Sequence, residues 1–387
     1  PDIVVKGKEH EGRHNIELEE VKKYGGKLLF SSGENVFSSI DLIHREFDPK
    51  IDNSINMPSD YLERHNITKN RLTELISTFP KIKVCVIGDL IIDDYITCQS
   101  LGMSEEDPSI VVTPIDKTRF IGGAGIVAAH GAGLGATSHL FTVTGSDGAS
   151  DYAFERLSEF GVHTEIFKDE NRPTTIKERY RSQGKTLLRM NHLYQGSIDK
   201  KLSDAILNKF KSVIKNIDIL IFSDFNYGCL PQILVEDMIK IAKKEKILFV
   251  ADSQTSSQIG DISRFHSMDL ITATEKEARI SLKNNEDGLV VLAEKLRTQS
   301  NAENIILKLG EEGILVHASD QEDRNQWLTD RLNALNLSAK DVSGAGDSLL
   351  ICSALTLASG GSIFESALLG SLAAAIQVSR VGNVPIE

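Results

Sequence analysis

An α/β fold is predicted for this chain: a central parallel sheet with helices on both faces and a small β lid. Three observations predict it. From Lys81 onward, short unbroken apolar runs alternate with helical segments. Strands read as continuous apolar runs when helices cover both faces of a parallel sheet. Two stretches, Ser109 to Pro114 and Thr174 to Met190, break that alternation with period-2 patterns, as antiparallel strands standing off the main sheet would. At 387 residues the chain also exceeds one average domain, which suits two domains or one large α/β domain with an appendage.

Taken in order, Ile3-Val4-Val5-Lys6-Gly7 reads as a short strand ending in a turn. Ile16 to Lys23 reads as a helix closed by Gly25-Gly26. Lys27-Leu28-Leu29-Phe30 is a second strand, and Ser38-Ser39-Ile40-Asp41 would cap a further helix. Glu46 to Pro58 is polar with two prolines and reads as a linker; Tyr61 to Phe79 has the apolar spacing of a helix. Val84 to Gly88 is then a buried strand, and Ala124 to Leu134 a helix of small residues ending at Gly135. Leu140 to Val143 is a strand and Tyr152 to Phe160 a helix. Ile219 to Ser223, Ile247 to Ala251, Leu270 to Thr272 and Ile305 to Lys308 follow as strands with helices between them. These boundaries divide the chain into 1–47, 48–80 and 81–387.

Composition narrows the function. Hydrophobic residues make up 41% and charged residues 25%, as in an ordinary globular protein. A net charge of −12 argues against a nucleic-acid partner, which calls for a basic face. Cys85, Cys98, Cys229 and Cys352 are far apart, so neither a zinc site nor a disulfide framework is indicated, and a reducing cytoplasm fits. No apolar run is long enough to span a membrane, and none reads as a signal peptide. A chain that begins with Pro1 reads as a fragment or a processed product.

The motif that says most is Asp341-Val342-Ser343-Gly344-Ala345-Gly346-Asp347, followed by an apolar run. Gly344 and Gly346 permit a tight turn and close approach to a ligand. If a helix starts here, its first N–H groups and its dipole make a phosphate site. Asp347 in the first turn would repel that phosphate, so its presence suggests that it takes a proton from an attacking hydroxyl. Alone, the same run also fits a plain helix cap. Gly122-Gly123 at a helix entrance lets backbone approach a substrate, or serves close helix–sheet packing. Asp89 and Asp93 follow the first main strand, where carboxylates can hold sugar hydroxyls or merely cap turns; Asp224 and Asp252 carry the same ambiguity. Lys308-Leu309-Gly310-Glu311-Glu312-Gly313 would pack near a nucleotide or form a hairpin. Lys177, Arg179, Arg181 and Arg189 give the lid a basic face that could hold a phosphate already on the substrate, or simply face solvent. No Gly-x-x-x-x-Gly-Lys-Ser/Thr occurs. Gly131-Ala132-Gly133-Leu134-Gly135 falls at a helix end, so it is not a dinucleotide fingerprint.

In this order the pieces resemble the ribokinase-like (PfkB) carbohydrate kinase family over residues 81–387. Within it, Gly88-Asp89-Leu90-Ile91-Ile92-Asp93 and Ser223-Asp224-Phe225-Asn226-Tyr227-Gly228 look like the kinase half of bifunctional heptose-phosphate kinase/nucleotidyltransferase proteins. The resemblance implies a ribokinase-like sheet, ATP and Mg²⁺, a small-molecule sugar or sugar-phosphate substrate, and a homodimer through the lid. It makes Asp347 the base and the N–H groups of Gly344, Ala345 and Gly346 the anion hole. It places Asp89, Asp93, Gly122, Gly123, Lys177 and Arg179 at the substrate, Lys308, Gly310, Gly313 and Ser371 at the nucleotide, and Glu277 near the metal. Residues 1–45 resemble the C-terminal end of a cytidylyltransferase-like domain, through Val4-Val5-Lys6-Gly7-Lys8-Glu9 and Phe37-Ser38-Ser39-Ile40. No His-x-Gly-His occurs, so no transferase activity is expected of this chain.

The chain departs from the family at Ile126 and Ser371, where Asn is usual, and at Thr274, the first position of the family's Asn-x-x-Glu. Tyr227 stands for Lys, and Asp252-Ser253-Gln254 for Asp-Pro-Lys. These changes bear on the substrate more than on the chemistry. A sugar or sugar-phosphate kinase is the first expectation, and a binding module with a degenerate kinase site the alternative.

Overall fold

The structure is a computed structural model that describes residues 3–7, 16–25, 27–31, 55–255, 260–319 and 327–387. Two units separate, Pro1–Asp48 and Pro49–Glu387. In the first, β1 (Ile3–Gly7) and β2 (Lys27–Ser31) pair in parallel, with α1 (Ile16–Lys23) between them in sequence. A parallel pair needs such a crossover. The helix expected after Ser38 lies outside the described residues.

The second unit begins with two helices, α2 (Ser59–Arg64) and α3 (Lys69–Thr78), where the spacing predicts one. Asn66 at φ 52° breaks the run, and the Thr68 side chain caps α3 by accepting from Arg71 N–H. Tyr61, Leu72, Leu75 and Phe79 are buried in the main core, so this stretch is part of the larger unit.

The strands that follow are β3 (Lys83–Gly88), β4 (Leu90–Met103), β5 (Ile110–Gly123), β6 (Thr137–Thr144), β7 (His163–Lys168), β8 (Ile176–Ser182), β9 (Lys185–His192), β10 (Ile219–Asp224), β11 (Leu248–Ser253), β12 (Leu270–Thr274), β13 (Asn304–Lys308), β14 (Ile314–Ser319) and β15 (Trp327–Leu332). Among the described residues nine of them form one sheet in the order β15-β14-β13-β12-β11-β10-β3-β6-β7. From β13 to β7 every pairing is parallel. β14 and β15 then add antiparallel at the edge, so the sheet is mixed rather than wholly parallel. The turn Lys308 to Gly313 is the hairpin between β13 and β14.

Helices α4 (Ala124–Gly133), α5 (Gly148–Glu159), α10 (Ala345–Ala358) and α11 (Ile363–Val378) supply apolar residues to one core. α6 (Lys200–Val213), α7 (Gln232–Ala242), α8 (Glu275–Leu282) and α9 (Leu289–Ser300) supply a second. β3 shows why the strands read as unbroken apolar runs. Val84 and Val86 enter the first core, and Cys85 and Ile87 the second.

The lid is a four-stranded sheet in the order β5-β4-β8-β9. β4 pairs antiparallel with β5 and parallel with β8. β4 is one of the strands the sequence did not announce, with β7, β14 and β15. Its start, Leu90-Ile91-Ile92-Asp93-Asp94-Tyr95, is buried without alternation, so it carries no period-2 signal. The burial of Asp94 is compensated by Arg119, which donates at 2.6 and 2.8 Å, and by Lys117.

Candidate active site

The C-terminal ends of β3, β10, β11, β12 and β13 lie along one edge of the sheet. Gly88 is in register with Ser223, Ser223 with Asp252, Asp252 with Thr272, and Thr274 with Lys308. Ligands of open parallel sheets bind beyond this edge. A cavity of about 430 Å³ opens here, and α10 points its first turn into it.

That turn is set by Gly344. It caps α10 in a left-handed conformation (φ 76°), and a Cβ there would stand 2.4 Å from Asn383 Oδ1. The N–H groups of Gly346 and Asp347 belong to the first turn, which leaves them without a carbonyl behind them. Ala345 N–H reaches back weakly to Val342 O at 3.4 Å. Helix start and dipole thus aim at one point in the cavity, as an anion site requires.

Asp347 sits beside that point, 6% exposed. Its carboxyl is pushed up from 3.8 to about 7, first by burial and then by the nearby Asp252 charge, with Lys308 and Lys177 opposing. Gln254 Nε2 donates to Asp347 Oδ1 at 3.1 Å. The buried Lys308 ammonium pairs with Asp252, which also accepts from Thr272 Oγ1 at 2.6 Å. Burial alone would lower the Lys308 pKa, but Asp252, Glu277 and Asp347 raise it, so the ammonium stays charged. A Cβ on Gly346 would meet Lys308 Nζ at 3.3 Å, which places the cation against the helix start.

The lid side carries Asp93. Arg179 Nη1 donates to its Oδ1, and Asn383 Nδ2 to its Oδ2 at 3.1 Å. Gly122 has no side chain because Asp93 Oδ2 fills that space, 2.3 Å from where a Cβ would stand. Lys177 Nζ lies 5.0 Å from the Phe225 ring centroid and 5.3 Å from that of Tyr227, held by their π faces.

Asp93, Gly123, Lys177, Arg179, Glu277, Lys308, Gly310, Gly313, Ser371 and residues 344–347 all line the cavity. Asp89 does not, and its placement at the substrate needs correction. Its carboxylate accepts the backbone N–H groups of Phe225, Tyr227 and Cys229 at 2.9–3.2 Å, which holds the loop that brings Phe225 to the cavity. Burial and Asp224 push its carboxyl up to about 6 against those amides. Gly122 likewise acts through Asp93 rather than as part of the wall. Ile126 is wholly buried in the core, so no apolar side chain confronts a sugar hydroxyl there.

Glu277 is committed twice. Oε2 accepts Thr274 N–H at 2.7 Å, and Oε1 accepts Thr255 N–H at 3.1 Å. Among the described residues no group of three His, Cys, Asp or Glu forms a metal cage. An oxygen donor such as the Glu277 carboxylate suits a hard cation such as Mg²⁺.

Three contributors left no sequence signal as site residues. Asn383 and Gln377 come from the C-terminal segment, and Gln254 reads only as a departure. Gln377 is fully buried. Its Nε2 donates to Ser343 O at 3.2 Å and Gly382 O at 2.9 Å, and its Oε1 accepts from Arg380 Nη2 at 3.2 Å.

Comparison with known proteins places this geometry. The profile of the pfkB family carbohydrate kinases matches residues 81–386. The chain is 31% identical over 317 residues to the bifunctional protein HldE of Desulfatibacillum aliphaticivorans, a match covering 81% of this chain and 63% of that protein. The chain therefore spans under two thirds of the length of such relatives. Phosphofructokinase-2 from Escherichia coli, in complex with substrates and products, superposes with a TM-score of 0.65 at 15% identity, over 79% of this chain and 95% of that one. Arabidopsis thaliana ribokinase complexed with ribose and ATP gives 0.61 at 18% identity, over 79% and 96%. At these identities the two structures establish the ribokinase-like fold.

Proposed function

The chain belongs to the pfkB family of carbohydrate kinases, and from that premise we propose that it transfers the γ-phosphoryl group of ATP to a hydroxyl of a sugar or sugar phosphate, heptose phosphates among the candidates. The observation that carries this reading is Asp347, a buried carboxyl pushed up to about 7, standing in the first turn of α10 beside the Lys308 ammonium. A base whose pKa lies near neutrality takes a proton most effectively there.

In this reading the acceptor hydroxyl lies against Asp347 and its oxygen attacks phosphorus in line, as the bond to the ADP oxygen breaks. Asp347 receives the hydroxyl proton. The N–H groups at the start of α10 and the Lys308 ammonium meet the charge of the transferring group. Bound with the nucleotide, Mg²⁺ would neutralise phosphate charge, and Glu277 would be the cavity-lining carboxylate to hold it. Asp93, fixed by Arg179 and Asn383, orients the acceptor, and the lid excludes water. Acceptor-dependent conversion of ATP to ADP, measured across sugars and sugar phosphates, tests the proposal. Measurable ATP binding with no turnover on any acceptor would sink it and favour a non-catalytic module, the reading to which Tyr227, Gln254 and Thr274 lend weight.

The lid supports a homodimer. Leu101, Met103, Ile110 and Leu188 are each more than half exposed on its strands, an apolar surface that a second copy of the chain would cover. Leu188→Glu is expected to shift sedimentation from dimer to monomer; a wild-type monomer at all concentrations would refute the assignment. Among the described residues no helix is long and apolar enough to cross a membrane. The four buried free cysteines fit a reducing cytoplasm, where ATP is at hand. Residues 1–47 we assign to the end of a nucleotidyltransferase-like domain, inactive in this chain.

A further inference from the structure

Residues 55–65 precede the kinase-family stretch, which begins at residue 81, yet they reach the wall of the cavity. Ala334, Leu335 and Asn336, in the coil between β15 and α10, line that wall together with Ser371, Ala374 and Ala375 of α11. Asn56 N–H donates to Leu335 O at 2.8 Å, and Ile55 forms an isolated antiparallel bridge with Asn336. The coil thus meets the cavity and this segment within the same three residues.

The segment is anchored on both elements that carry the wall. Asp330, on β15 just before the coil, accepts from Arg64 Nε at 3.0 Å and Nη2 at 3.2 Å, and stands 2.7 Å from His65 Nε2. Burial alone would raise the Asp330 pKa, but its bonds to His65, Arg331 N–H and Arg64 hold it below the ordinary value. The His65 ring stacks on Phe364 in the first turn of α11, with centroids 3.7 Å apart and planes inclined by 15°. Tyr61 Oη donates to Phe364 O at 3.1 Å. From the other side, Asn336 Nδ2 donates to Ala375 O at 3.1 Å and Lys340 N–H to Val378 O at 2.8 Å. The coil is held between α11 and residues 55–65.

A coil has no ladder of its own, so its position depends on such contacts. A wall in place only part of the time weakens apparent affinity by that fraction. Which ligand feels the loss follows from the chemistry of the wall. Leu335, Ala339, Ala374 and Val378 make this side of the cavity apolar, while Asp93, Lys177 and Arg179 gather toward the lid. An apolar wall suits a nucleobase, and the charged side suits an acceptor rich in hydroxyls.

We propose that residues 55–65 brace the nucleotide wall, with Asn56 and the Arg64–Asp330 pair as positioning residues for ATP and not for the acceptor. The proposal rests on the kinase reading of the cavity. Such coupling is reciprocal: the factor by which the brace tightens nucleotide is the factor by which nucleotide tightens the brace.

The test reads nucleotide and acceptor separately. Asn56→Pro removes one backbone donor, and Asp330→Asn removes the charge that holds Arg64 and His65. Each should raise KM for ATP by about 3- to 10-fold, with kcat and the acceptor KM within about twofold of wild type. Arg64→Met, at an exposed position, should reproduce the Asp330→Asn effect. MgADP should slow hydrogen exchange at the wild-type Asn56 amide by about the same factor. ATP and acceptor KM rising together, or Asn56 exchange indifferent to saturating MgADP, would overturn the proposal and leave the kinase reading standing. Binding of MgADP without turnover on any acceptor would overturn the kinase reading and leave the exchange measurement to decide the brace. Failure to bind MgADP at all would overturn both.

Discussion

Asp347→Asn is expected to lower kcat by about 10²- to 10⁴-fold while ATP binding survives, because the change removes the proton acceptor and keeps the shape. The wild-type pH profile should show an acid limb centred near the Asp347 value of about 7, with activity falling as pH drops through it. A variant retaining most of its phosphoryl transfer would remove Asp347 from its role. Stability should move the other way. The folded-state pKa lies above the ordinary 3.8, so folding favours the protonated form. That contribution is fully present below 3.8 and is lost as pH rises through about 7. Asn carries no charge to bury, so the variant should melt at a higher temperature than the wild type at pH 8, by a free energy on the order of a few kcal/mol. Better folding with lost turnover is the mark of a residue kept for function.

Lys308→Met should have the second-largest effect. The ammonium pairs with Asp252 and lowers the Asp347 pKa. Without it two buried carboxyls face each other unrelieved, the Asp347 pKa rises further, and the acid limb of the profile moves to higher pH. The cation at the start of α10 is lost as well, so even the alkaline plateau should drop, on the order of 10²-fold. Single-turnover rates across pH 6 to 9 separate the two effects. An acid limb that stays in place would show that Lys308 does not tune the base.

Both predictions concern residues the sequence exposes well. The glycine-flanked Asp347 and the strand-ending Lys308 sit in local patterns that physics reads directly: a turn, a helix start, a strand end. The apolar runs of β3, β10, β12 and β13 were equally legible, because burial on both faces leaves no alternation to confuse. What stayed hidden was tertiary. Asp93 was placed after a strand, but it lies within one, and its partner Asn383 is 290 positions away. No local spacing can announce such a pair. Asp89 carried a substrate-contact expectation from its position after β3, yet three backbone amides claim its oxygens.

Gln377 has a consequence for how the site moves. A single amide nitrogen joins the carbonyl of Ser343, next to the α10 cap, to that of Gly382, next to Asn383. Withdrawing it strands two carbonyls at once, and Arg380 loses an acceptor with them. The loop before Asp347 and the turn at Gly382–Asn383 are therefore expected to open together, which amide hydrogen exchange at the two would show as matched protection. The anion site at the start of α10 accordingly leans on a side chain from the last turn of α11.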